Sequence, residues 1–109
     1  HLVLSSDGVR CVSYAGAIAE LERNGVEIAS VSACSAGSLI GALFCAGLTG
    51  EDLKEEILKL EFKEFYGSMR FPLLLLWKYP FSQYKDSRIA EIYCRIVNKN
   101  PTFAELEIP

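Results

Sequence analysis

One stretch limits the possible folds of this chain more than any other: residues 31–41, Val-Ser-Ala-Cys-Ser-Ala-Gly-Ser-Leu-Ile-Gly. An apolar, β-prone run arrives at Ser35, and a run of small and apolar residues leaves it. That pattern describes a buried strand bending sharply into a packed helix, with Ser35 at the bend. Such a turn lifts a hydroxyl out of the sheet and aims a fresh helix N-terminus at whatever the hydroxyl attacks. It needs small residues two before and two after the serine, and Ala33 and Gly37 stand there. Ser35 is therefore the candidate nucleophile, with Ala33 and Gly37 supporting the turn. A serine that only caps a buried helix fits the same pentapeptide.

Ahead of the bend, Leu2, Val3 and Leu4 form a short β-prone run closed by the turn formers Ser5, Ser6, Asp7 and Gly8. From Tyr14 the period becomes helical: Tyr14, Ala17, Ile18 and Leu21 share one face, and Glu20, Glu22 and Arg23 the other. Asn24-Gly25 is a stop signal, and residues 26–33 read as a second strand. Strand, helix and strand in about thirty residues make a βαβ unit and hence a parallel sheet. The helix after Ser35 carries no charge until Glu51 and holds Gly37 and Gly41 in its interior. Each interior glycine costs about 1 kcal/mol against alanine, so close packing against the sheet must offset the loss.

Gly47 and Gly50 are read as the end of that helix. Thr49 and Asp52 have capping-box spacing for another, whose inner face presents Leu53, Ile57, Leu60 or Phe62, and Phe65, opposite a solvated mixed-charge face. Asp86 is expected to cap an amphipathic helix built on Ile89, Ile92, Tyr93, Ile96 and Val97. Residues 101–106 read as a turn with a small capped helix, and residues 107–109 as the approach to another strand.

With 109 residues, 50% of them hydrophobic, the chain can bury a real core as one small domain or part of a larger one. Eleven Lys and Arg against 14 Asp and Glu give a net charge of -3, so there is no basic excess for nucleic acid. The four cysteines, at 11, 34, 45 and 94, have apolar neighbours and read as buried free thiols of a reducing compartment, although four could pair. With no Cys-x-x-Cys and a single histidine, no metal site is expected. No signal peptide and no apolar run of roughly 18 residues is visible, which points to a cytoplasmic or peripheral membrane location. Residues 71–81, with Phe71, Trp77, Tyr79 and Phe81 around Pro72 and Pro80, are intensely apolar. They suit either a buried irregular segment or a lipid-facing flap that contacts a membrane peripherally.

A nucleophilic serine needs a base and an oxyanion hole. The only histidine is His1, at the first position, so a Ser-His-Asp triad is not expected, and the base must be a carboxylate or lie outside these residues. Leu2-Val3-Leu4, the turn, Gly8-Val9-Arg10, Tyr14-Ala15-Gly16-Ala17, Asn24-Gly25-Val26 and the bend at Ser35 together resemble the patatin-like phospholipase family. The resemblance covers nearly the whole chain and is strongest over residues 2–50. It implies an α/β fold of the α/β-hydrolase-like, three-layer kind, a parallel sheet flanked by helices, with residues 1–109 as the N-terminal portion of a single domain. It implies serine-dependent hydrolysis of phospholipids or other acyl-ester lipids by a Ser–Asp dyad, without a cofactor. Residue by residue, Ser35 matches the nucleophile, and Gly8, Val9 and Arg10 match the end of an oxyanion loop whose backbone N–H groups hold developing negative charge. Arg10 reads equally as a structural ion-pair partner.

The chain also departs from the family pattern. Ser6-Asp7-Gly8 replaces a run of glycines, Cys11 replaces the glycine after the basic residue, and Ala33 the first glycine of the bend. Side chains at 6 and 7 narrow the backbone conformations that glycine allows, and Asp7 brings a negative charge to a loop meant to hold one. Asp7-Gly8 is the only Asp-Gly pair, while Asp52 and Asp86 stand at expected caps, so the dyad aspartate is expected after Pro109. Two accounts follow: an N-terminal piece of an active domain, or a catalytically degenerate module that binds lipid or a protein partner. A dinucleotide-binding βαβ unit is excluded, since residues 6–11 offer one glycine where that fingerprint needs three.

Overall fold

The computed structural model describes residues 1–6, 8–60, 86–98 and 101–108. Strand β1 (Leu2–Leu4) leads through a 3-10 turn (Gly8–Val12) into α1 (Ser13–Arg23). Strand β2 (Val31–Ala33), α2 (Ala36–Cys45), α3 (Gly50–Lys59), α4 (Asp86–Val97) and a second 3-10 turn (Phe103–Glu105) follow. The strands pair in parallel, Leu2 with Val31, Val3 with Ser32 and Leu4 with Ala33. The expected α/β architecture, a parallel sheet flanked by helices, is thus what the chain forms, with two strands among the described residues. The second strand is shorter than the 26–33 expected. β1 offers only three residues to pair with, so residues 26–30 run as an irregular connection and Val26 is exposed.

Helix α2 lies across the strand pair. Side-chain alternation puts Leu4, Val31 and Ala33 on one face, and Gly41 sits on it so closely that a Cβ there would stand 3.0 Å from the Ala33 Cβ. At Gly37 a Cβ would stand 2.7 Å from the Ser5 carbonyl oxygen and 2.9 Å from that of Leu4. The two glycines that weaken the helix are therefore the ones that let its backbone touch the strands. Leu39, Ile40, Leu43 and Phe44 of α2 are buried with Leu4, Ile18 and Leu53 in one core.

The inward face of α1 is Ala15, Ile18 and Ala19. It is rotated from the expected stripe: Ala17 is exposed, and Tyr14 and Leu21 are half-buried. Helix α3 accounts for the difference, because it packs on α1 so tightly that a Cβ at Gly50 would lie 2.2 Å from the Ala19 amide nitrogen. Gly50 thus opens α3 rather than ending α2, whose exit is marked by Gly47 at a φ of +99°. The Gly50 N–H donates to Glu22 Oε2 at 2.7 Å, a carboxylate at a helix N-terminus. The Thr49–Asp52 capping box forms as read. The Thr49 hydroxyl, and then its backbone N–H, hold the Asp52 carboxyl below the usual carboxylate range.

In α4, Ile92 is buried and Tyr93, Ile96 and Val97 pack against the same core. Asp86 is the first helical residue, inside the capping position expected for it. Thr102 and Glu105 close a second capping box. Residues 107 and 108 do not enter a strand. Their N–H groups both donate to the Cys45 carbonyl, at 2.9 and 3.4 Å, satisfying an acceptor that the end of α2 leaves open. All four cysteines are free thiols, and Cys11 and Cys45 are buried. Cys94 is half-buried and Cys34 exposed, contrary to expectation, because Cys34 lies where the chain surfaces at the bend. Burial pushes the Cys45 thiol pKa up. The readings made for Phe62, Phe65, the 71–81 stretch and Asp7 fall outside the described residues. Among those described, no helix is long and apolar enough to cross a membrane.

Two glycines in opposite surroundings test this packing. Open space lies where a Cβ would go at Gly16, inside α1, so Gly16→Ala should raise stability by about 1 kcal/mol. Gly50→Ala drives a methyl into the α1 backbone and should lower stability by about 1–3 kcal/mol, both read from denaturant midpoints. Asp52 contributes stability above the ordinary carboxylate pKa that is lost as pH falls through its lowered folded value. Asp52→Asn should therefore flatten that part of the acid unfolding curve.

Candidate active site

The bend after β2 is built almost wholly from backbone hydrogen bonds. The Cys34 N–H donates to the Leu4 carbonyl at 3.0 Å and carries the strand pairing one rung past Ala33. The Gly37 N–H returns to the Cys34 carbonyl at 3.1 Å, and the Ser38 N–H to the Ser35 carbonyl at 2.9 Å. Residues 34–37 are thus a β-turn closed by its own i to i+3 bond, with Ser35 in the second position. Its φ of 51° and ψ of -129° are those of a type II′ turn, a place that favours glycine. For serine the conformation costs on the order of 1–3 kcal/mol.

The Ser35 hydroxyl has no hydrogen bond to the helix it precedes, and the residue is exposed. A capping serine would accept from an N–H two or three residues on. Those of Gly37 and Ser38 are already taken by the Cys34 and Ser35 carbonyls. Ser35 thus makes no side-chain cap for α2 in this structure. On either side of the turn, the small residues have a visible reason. Gly37 meets the Leu4 and Ser5 carbonyls, so that position has no room for a side chain, and the Ala33 methyl lies against α2 at Gly41.

The loop leaving β1 comes to the same place. The Ser5 carbonyl lies against Gly37, and the 3-10 turn Gly8–Val12 packs on α2. Gly8 takes a left-handed φ of +56°, which glycine adopts without penalty. Val9 and Arg10 follow in the 3-10 turn. Arg10 is exposed, and its carbonyl accepts from the Ser13 hydroxyl at 2.8 Å. Gly8, Val9 and Arg10 therefore sit on a loop that packs on α2 and leaves the carboxyl end of β1, the side of a parallel sheet where ligands of α/β folds bind. Cys11 is 3% exposed within the core, so that departure from the family pattern fills space between the turn and α2. Ser6 is exposed.

Asp52 is the one aspartate whose side chain is described, and it is committed to α3, where its Oδ2 accepts from the Thr49 N–H at 3.0 Å and the Thr49 hydroxyl at 2.6 Å. Two features escaped the sequence reading. Ala36 opens α2 directly after Ser35, at the position whose N–H serves an oxyanion in α/β-hydrolase bends; its place after the bend serine was the available signal. The hydroxyls of Tyr14 and Ser5 lie 2.9 Å apart, a contact between helix and loop with no signal in the local pattern. Ser35→Gly and Ser35→Ala both delete the hydroxyl, but only glycine relaxes the turn. Ser35→Gly should be the more stable variant by about 1 kcal/mol, measured by chemical denaturation.

Over residues 2–104 the sequence matches the family model described as Patatin-like phospholipase. No curated protein and no solved structure matches it. At the level of the family, the chemistry is hydrolysis of lipid acyl esters. From the strand–bend–helix at Ser35 to the loop packed beside it, the chain belongs to the patatin-like phospholipase family.

Proposed function

We propose that this chain forms the N-terminal portion of a single serine-dependent lipid acyl hydrolase domain, with Ser35 as its nucleophile. One observation carries the reading: Ser35 holds a glycine-type conformation, at φ 51° and ψ -129°, while leaving its hydroxyl out of the helix cap. Backbone strain of this kind gathers where geometry serves chemistry.

The Ser35 Oγ attacks the ester carbonyl carbon as its proton passes to an aspartate base, and the carbonyl oxygen gains the negative charge. Backbone N–H groups of Gly8, Val9 and Ala36 hold that oxyanion, with the Arg10 guanidinium adding positive potential. Collapse expels the alcohol, which takes back the proton. Water then attacks the acyl-serine and restores Ser35. On this reading the base of the Ser–Asp dyad lies outside the described residues, since Asp52 already caps α3. The substrate is a phospholipid or another acyl-ester lipid, met at a membrane surface through residues 71–81. A degenerate module that binds lipid or protein without catalysis is favoured by Ser6, which puts a side chain where the family pattern has glycine.

Treatment of the full-length protein with a fluorophosphonate should label Ser35 and fail in Ser35→Ala. Hydrolysis of a short-chain ester should fall about 10³-fold or more in the same variant. A folded protein with no Ser35-dependent labelling would sink the enzyme reading in favour of the binding module.

A further inference from the structure

The Tyr14 hydroxyl lies 2.9 Å from the Ser5 Oγ and donates to the Ser5 carbonyl oxygen at 3.3 Å. A phenol has one proton to give. With that proton on the carbonyl, the Ser5 hydroxyl donates to the Tyr14 oxygen. The same carbonyl oxygen faces the first turn of α2, 2.7 Å from where a Cβ on Gly37 would stand. One carbonyl is thus held between the first turn of α1 and the first turn of α2. A trans peptide is planar, with its N–H opposed to its C=O, so fixing the Ser5 carbonyl also fixes the direction of the Ser6 N–H. The loop toward Gly8 and Val9 then starts in a single orientation.

We propose that Tyr14 is a positioning residue: its hydroxyl latches the peptide between Ser5 and Ser6 and so aims the loop's backbone N–H groups for ester hydrolysis at Ser35. The inference rests on Ser35 being the nucleophile. Tyr14 is suited to the role because its ring is half-buried on α1, beside the fully buried Ala15 and Ile18. Phenylalanine preserves that ring and removes the latch.

The test compares full-length wild type with Tyr14→Phe. Fluorophosphonate titration counts reactive Ser35, steady-state hydrolysis of a soluble short-chain ester gives kcat and KM, and amide hydrogen exchange reads Ser6, Gly8 and Val9. The latch accounts for one neutral hydrogen bond, so kcat per titrated site should fall about five- to tenfold. KM should stay within about twofold, and the loop amides should exchange faster. A purely structural anchor would lower Tm and the titrated fraction while leaving kcat per site intact. Unchanged kcat per site in an active protein, or unchanged loop exchange in any case, overturns the assignment. If the wild type shows no Ser35-dependent labelling, the hydrolase reading fails, and exchange of the loop amides alone decides the latch.

Discussion

The approach of the α2 backbone to the strand pair, made possible by the missing side chains at Gly37 and Gly41, is the contact on which the remaining structure depends. With a helix lying directly on Leu4, Ser5, Val31 and Ala33, the chain leaving β2 has almost no distance in which to reverse. A type II′ turn closes that gap, and Ser35 accepts the backbone angles it demands. The cost is offset locally. Burying one side chain such as Leu43 contributes about 1.5–3 kcal/mol, more than an interior glycine loses. The strained turn persists because the well-packed helix behind it leaves no looser route.

The same device recurs on the other side of α1. Gly50 against Ala19 makes a seam between α1 and α3, and Glu22 reaches across it to the first N–H of α3. Around these seams the departures from the family pattern sort by location. Cys11 is a core residue whose thiol fills volume, whereas Ser6 faces solvent in the loop. The first concerns packing. The second bears on the conformations open to the loop itself.

What the sequence disclosed was mostly local. The bend at Ser35, the Thr49–Asp52 box, the small capped helix over residues 101–106 and the stop at Gly25 each depend on residues within a few positions of one another. The α/β class was legible because the change from strand to helix periodicity is also short-range. The features that went unread involve distant partners. The length of β2 is set by β1, the rotation of α1 by α3, and the role of Gly50 by Ala19. At the candidate site, the identity and position of Ser35 were legible, but the turn geometry that distinguishes a free hydroxyl from a cap was not. The contact between Tyr14 and Ser5 has no counterpart in any periodic pattern.

Helix α2 divides the described chain into two ends with different obligations. At its start lie the Ser35 turn and the loop from β1. About 15 Å away, by the rise of a ten-residue helix, its last carbonyl at Cys45 receives Glu107 and Ile108. Connections near that far end, such as residues 24–30 and 46–48, join elements without entering the bend. Sequence drift can therefore change how the segments are linked there while the chemistry-bearing rim stays still. Where Gly37 lies on the Leu4 and Ser5 carbonyls, helix backbone meets strand backbone, and there the same drift has almost nowhere to go.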